Sequence, residues 1–236
     1  MIKAVIFDLD GTIISDDYIQ DGLLFLYKKN KNQLGNLDFN TFLDANRKSV
    51  NVLRKLHSEK KVYLHQVGIT IWYLTLKYLK IPTQSRLIYS LYSDLQTYIL
   101  DSIRIKPGFL DLIKYLKNKQ IMTGVLSNGL FIERYERIKR IGILNFIDVL
   151  ISSDIVGVEK PDKKIFNYIL KVMKILPEES IYIGNDLIED IKGARAVGIL
   201  PILMLNKNHK DDKLPRNIIV IEDFRDIINI INKSNI

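Results

Sequence analysis

Cysteine is absent from all 236 residues. That excludes disulfides, thiolate metal sites and a cysteine nucleophile, and it fits a cytoplasmic protein. Long apolar runs are missing as well: none reaches the ~18 residues that would suggest a membrane span. The N-terminus offers no basic segment and no small-residue cleavage site before its first strand pattern, so no secretory signal is expected. Internal repeats, low-complexity segments and long flexible linkers are lacking too. What remains, 47% hydrophobic and 26% charged residues, is the profile of a globular domain and not of a disordered chain. The length suits one large domain, or a core domain with a smaller insert.

The formal net charge is +8. A basic chain can bind nucleic acid or anionic substrates. Here, however, Lys and Arg are scattered at helical spacing, and the densest pairs (Lys28-Lys29, Lys60-Lys61, Lys163-Lys164) are short. They read as solvated helix faces, and no nucleic-acid partner is expected.

"IKAVIF" at residues 2–7 is nearly continuous and rich in β-formers, the pattern of a strand covered on both faces. Similar runs recur at 120–127, 148–153, 180–184, 200–205 and 217–221. Helical patterns lie between them, at 109–118, 132–143, 162–175 and 188–199, with Asp162 placed to favour a helix N-terminus. Strand and helix alternating in this way predict an α/β, Rossmann-like parallel sheet with helices on both faces. Residues 16–103 break the alternation with about four helical patterns, one of them starting at Asn40 as N-cap. The expected organisation is therefore a core of residues 1–15 and 104–236 and an all-helical insert of residues 16–103.

In open parallel sheets, ligands bind beyond the carboxyl ends of the strands. Strand one is followed there by Asp8, Asp10, Gly11 and Thr12; "GVL" by Ser127, Asn128 and Gly129; the third run by Glu159, Lys160 and Pro161; and "IYI" by Gly184, Asn185, Asp186 and then Asp190. An Asp at one strand end is usually a turn or a helix cap. Four polar clusters on one sheet edge are better read as an active site. Asp8 and Asp10 repel one another unless a cation joins them. An oxygen-rich set with a lysine, a hydroxyl and main-chain N–H groups suits a hard cation such as Mg²⁺ and phosphoryl transfer.

"FDLDGT", "SNG", "KPD" and "GNDLIED" resemble, in order and spacing, the four motifs of the haloacid dehalogenase-like hydrolases, and the helical insert resembles that family's C1-type cap. The resemblance covers essentially the whole chain. It implies that Asp8 is a nucleophile forming an aspartyl-phosphate and that Asp10 is the general acid and then base. It further implies that Ser127, with Asn128 and Gly129, binds phosphate, and that Lys160 steadies both nucleophile and phosphate. Mg²⁺ would be held by the Asp8 side chain, the Asp10 carbonyl and one residue of "GND". Aligned without a gap that residue is Asn185; the four-residue spacing to Asp190 favours Asp186. Thr12 and Asp190 would stand behind these groups, Asp190 orienting Lys160 or metal-bound water. The dehalogenases proper carry a non-acidic residue where this chain has Asp10, so the resemblance implies a phosphatase.

Candidate leaving-group contacts in the insert are Asp16, Asp17, Arg47, Arg54, Lys61, His65 and Trp72, with Trp72 expected in the insert's own core. The expected reaction is Mg²⁺-dependent hydrolysis of a small phosphorylated metabolite. A phosphotransferase or mutase of the same fold, or a non-catalytic binding module, are the alternatives. The sequence leaves the oligomeric state open.

Overall fold

The computed structural model describes residues 1–15, 18–205 and 217–234. The chain divides into two compact units, Met1–Asp16 with Arg104–Ile236, and Asp17–Ile103.

The first unit is built on a six-stranded sheet: β1 (Ala4–Phe7), β2 (Met122–Ser127), β3 (Val149–Ser152), β4 (Ser180–Gly184), β5 (Leu200–Met204) and β6 (Ile219–Ile221). All neighbours are parallel. The order β3-β2-β1-β4-β5-β6 reverses direction between β1 and β4. Open sheets of this type form their ligand crevice at that reversal, outside the strand carboxyl ends. Phe7 is in register with both Val125 and Ile183. The loops after β1, β2 and β4 therefore leave the sheet within two residues of one level.

The sheet is α/β with helices on both faces, as the alternation of patterns predicts. Successive residues of β1 point to opposite sides. Ala4 and Ile6 join Ile165, Phe166 and Ile169 of α8 (Lys163–Met173). On the other side Phe7 meets Phe109 edge-on at 5.3 Å and Phe224 at 5.8 Å, at the starts of α5 (Phe109–Asn118) and of α10 (Arg225–Ser234). α6 (Phe131–Arg140) and the single-turn α7 (Ser153–Val156) follow β2 and β3. Asp162 caps α8 by accepting the Lys164 N–H at 2.8 Å. After β4 the chain makes a π-helical turn over Leu187–Lys192 before the short α9 (Gly193–Arg195), where the sequence predicts one continuous helix.

The second unit holds α1 (Tyr18–Asn30), α2 (Phe39–Ser58), α3 (Leu64–Tyr78) and α4 (Ser85–Ser102). Its core includes Leu26, Phe42, Trp72, Leu76 and Leu91. Trp72 stacks on Phe42 with ring centroids 6.5 Å apart, the core position expected for it. The expected N-cap Asn40 is corrected to Asp38. Asp38 accepts the Thr41 N–H at 3.0 Å and its hydroxyl at 2.6 Å, while Asn40 lies inside the first turn. Among the described residues, no helix is long and apolar enough to cross a membrane.

Candidate active site

The carboxyl edge of the first unit's sheet carries a cleft of about 240 Å³. Its walls include Asp8, Asp10, Ser127, Asn128, Lys160, Asn185, Asp186 and Asp190 from the four motifs, joined by Arg134 and Glu189. β1, β2 and β4 deliver their parts as they end, while Lys160 follows β3 only after α7. The main chain leaves β1 with the Asp8 N–H still donating to Ile183 O at 2.9 Å, so the Asp8 backbone is held by the sheet itself.

Lys160 is the hub. Its Nζ donates to Asp8 Oδ1 at 2.7 Å, Asp190 Oδ1 at 2.6 Å and the Tyr182 hydroxyl at 3.1 Å. Lys160 and Asp190 are 4% and 1% exposed, so these charges are out of water. Burial pulls the Lys160 ammonium down, but Asp190 and Asp8 outweigh it and hold the pKa well above the usual lysine value. Two acids share that one ammonium. Burial, with the charges of Asp190 and Asp10 adding and Lys160 opposing, pushes Asp8 up to about 7. Tyr182 is raised well above its ordinary value by burial and then by Asp190.

The π-helical turn has a function in this network. It lets Asp190 fold back so that Oδ2 accepts the N–H groups of Asn185 and Asp186, each at 3.0 Å, while Oδ1 faces Lys160 and Tyr182. π-Turns concentrate at functional sites for this kind of reason. Gly184 makes the approach possible: a Cβ there would stand 2.3 Å from Asp190 Cγ.

Asp10 has cations of its own. Arg137 Nη1 donates to Asp10 Oδ1, and Arg134 Nε lies 3.4 Å from Oδ2. Both arginines come from α6, one turn apart. Sequence reasoning missed them because "IERYERIKR" reads as a solvated charged face; their i, i+3 spacing just after "SNG" was the available signal. Tyr182 was missed because a tyrosine inside an apolar strand reads as core.

The "SNG" loop is tied down in several directions. Asn128 Oδ1 accepts the Lys160 N–H at 2.8 Å, and its amide donates to Lys160 O at 3.3 Å and Glu189 Oε2 at 3.0 Å. The Gly129 N–H donates to Ser153 Oγ at 2.9 Å. Ser127 Oγ accepts from Arg134 Nε at 3.1 Å. Of the "GND" pair, Asn185 Oδ1 accepts the buried Thr12 hydroxyl at 2.9 Å, across to the Asp8 loop. Asp186 is exposed and turns Oδ1 to its own helical turn, accepting the Ile188 and Glu189 N–H groups at 2.7 Å each.

The donor set fits a hard divalent cation. It offers carboxylate, amide and main-chain oxygens around a buried acid pair that one lysine only half neutralises. Among the described residues no three Asp, Glu, His or Cys side chains are grouped to hold a metal by themselves. An ion here would complete its coordination with amide, main-chain, water or substrate oxygens.

The insert candidates Arg47, Arg54, Lys61, His65 and Trp72 all belong to the second unit. Lys61 pairs with Glu59 at 2.6 Å and His65 stacks on Tyr63. Asp16 and Asp17 lie outside the described residues.

Residues 2–198 match the family model described as haloacid dehalogenase-like hydrolase. A relative from Methanothermobacter thermautotrophicus, named glyceraldehyde 3-phosphate phosphatase, is 30% identical over 98% of this chain and 100% of its own. One of the same name from Methanocaldococcus jannaschii is 29% identical over 89% of this chain and 88% of its own. The fold is similar to that of the Bacillus subtilis hydrolase YfnB, solved with bound magnesium, with a TM-score of 0.73 at 22% identity over 98% of this chain and 99% of that one.

Proposed function

We propose, from the premise that this chain belongs to the haloacid dehalogenase-like hydrolases, that it is a Mg²⁺-dependent phosphatase of a small phosphorylated metabolite working through an aspartyl-phosphate. The observation that carries the reading is the buried Asp8 held by Lys160 at 2.7 Å, with Asp10 two residues on at the same strand end. A nucleophilic carboxylate must be anionic and fixed in direction, and Lys160 serves both needs. Asp8 would attack phosphorus and form the acyl-phosphate bond as the ester C–O–P oxygen departs. Asp10 would give that oxygen its proton and then take one from the water that hydrolyses the intermediate. Arg137 and Arg134 fix the direction of the Asp10 carboxylate. The Ser127 hydroxyl would bind a phosphoryl oxygen.

Asp8, the Asp10 carbonyl and Asn185 would hold Mg²⁺, which supplies charge neutralisation at the phosphoryl oxygens. Asn185 is favoured over Asp186 because its amide reaches the Thr12 side of the nucleophile loop, whereas Asp186 caps its own helical turn. Asp190 and Thr12 act through other groups, Asp190 by orienting Lys160 and Thr12 by orienting Asn185. The helical unit Asp17–Ile103 would be the cap that selects the leaving group.

The names of the two archaeal relatives support glyceraldehyde 3-phosphate as the first substrate to try. Free phosphate should appear when the purified protein is given this triose phosphate with Mg²⁺ and no acceptor. A transferase or mutase would release none without an acceptor sugar. A binding module would release none at all.

A further inference from the structure

We propose that Arg134 is a phosphate-binding residue of this site, the side-chain cation that meets the substrate phosphoryl group directly. The inference rests on the phosphatase reading and assigns a contact within it.

Among the described residues that line the cleft, the cations are Lys160 and Arg134. An ammonium has three N–H donors. All three of Lys160 are directed at Asp8, Asp190 and Tyr182, within 3.1 Å. Lys160 therefore sets the nucleophile and keeps no donor for a phosphate. The Gly129 N–H is committed to Ser153 Oγ, and the Asn128 side-chain amide to Lys160 O and Glu189 Oε2. A phosphate monoester dianion entering the cleft needs donors that remain.

Arg134 has them. A guanidinium carries five N–H groups in a planar fork that suits phosphate oxygens. Nε serves Ser127 Oγ and Asn128 O, Nη2 serves Asn128 O, and Nη1 reaches Glu133 Oε2 at 3.4 Å. That leaves one N–H on each Nη. The group lies against Gly129, where a Cβ would stand 2.1 Å from Nη2, so glycine at φ +126° is what admits it. Its bond to Ser127 has a second effect. A permanent donor occupies a lone pair of Ser127 Oγ, which leaves that hydroxyl's own proton for an incoming acceptor. Its present acceptor, Asn128 O, is distant at 3.3 Å and already receives Arg134. Ser127 and Arg134 would then present a hydroxyl and a guanidinium to the same phosphoryl group.

The test is the binding of inorganic phosphate to the Mg²⁺-loaded protein by calorimetry, with Arg134→Gln and Arg134→Lys beside the wild type. Arg134→Gln should weaken binding about 10- to 100-fold, as loss of a charge-assisted bond to phosphate does, and Arg134→Lys should recover part of it. In the wild type, phosphate should shift the Arg134 Nε–H resonance, a readout that does not depend on either variant folding. Wild-type binding with an unmoved Nε–H and undiminished affinity in Arg134→Gln would overturn the assignment and leave the phosphatase reading standing. A wild type that neither binds phosphate nor releases it from esters would overturn both.

Discussion

Lys160 Nζ lies 2.7 Å from Asp8 Oδ1 in a setting where neither residue is more than 6% exposed. The lysine is shared with Asp190, so the trio holds two acids and one base. Asp8→Asn keeps the shape and removes the nucleophile. Phosphate release should fall to background, and near-wild-type turnover would sink the mechanism.

The same substitution should stabilise the metal-free protein in a pH-dependent way. The folded Asp8 value of about 7 exceeds the ordinary aspartate value of 3.8. Folded Asp8 thus keeps a proton that the unfolded chain releases between about pH 4 and about pH 7, and stability contributed at this site falls as pH rises through that window. Asp8→Asn should therefore raise Tm above about pH 7, by ~4 °C or more, with the gain vanishing towards about pH 4. Thermal melts in chelator across that range check the sign. Mg²⁺ should stabilise the wild type and have little effect on the variant.

Tyr182→Phe removes a hydroxyl that accepts from Lys160 and bonds Asp190 at 2.9 Å. The buried ammonium then lacks a third acceptor. A loss of ~1–3 kcal/mol in denaturant unfolding is expected. Because Lys160 can then tilt, kcat should fall more than KM rises. A variant with unaltered kcat would reduce Tyr182 to a packing residue.

The parallel sheet was legible because strands buried on both faces are written as unbroken apolar runs, and all six appear in the structure near their expected places. The motif residues were legible because each follows such a run. Local propensity could not choose between Asp38 and Asn40, both good caps; the choice was made by the reach to Thr41. Arg134 and Arg137 were hidden among Glu133, Glu136, Lys139 and Arg140 on a charged helix, and only the β2–α6 turn aims two of them inward. The π-turn was illegible for a related reason. "LIEDIK" carries an ordinary helical pattern, and the wider turn goes with Asp190 facing Lys160, a contact from another strand end.

Chelator should abolish phosphate release and Mg²⁺ restore it, with Ca²⁺ a poor substitute because its looser, higher coordination spoils in-line geometry. Within that dependence, Asn185→Ala should raise the Mg²⁺ concentration needed for half activity about tenfold or more, and Asp186→Ala much less. The reverse order would make Asp186 the ligand. Equal small shifts would remove both from the coordination shell and turn attention to Asp190.

Gly184→Ala is the sharpest structural test. A Cβ at this position would sit 2.3 Å from Asp190 Cγ and 2.4 Å from Oδ2, far inside van der Waals contact. Gly184 ends β4 and is paired with Leu203, so the main chain cannot retreat without breaking the sheet. Asp190 would have to swing away, releasing the Asn185 and Asp186 N–H groups and one of Lys160's two acids together. Several buried bonds would be lost at once, so we expect destabilisation of ~3 kcal/mol or more. Activity should also fall sharply in whatever fraction stays folded. Denaturant unfolding and phosphate release measured on the same preparation separate the two effects. A Gly184→Ala protein as stable and active as wild type would show that Asp190 need not approach β4 so closely.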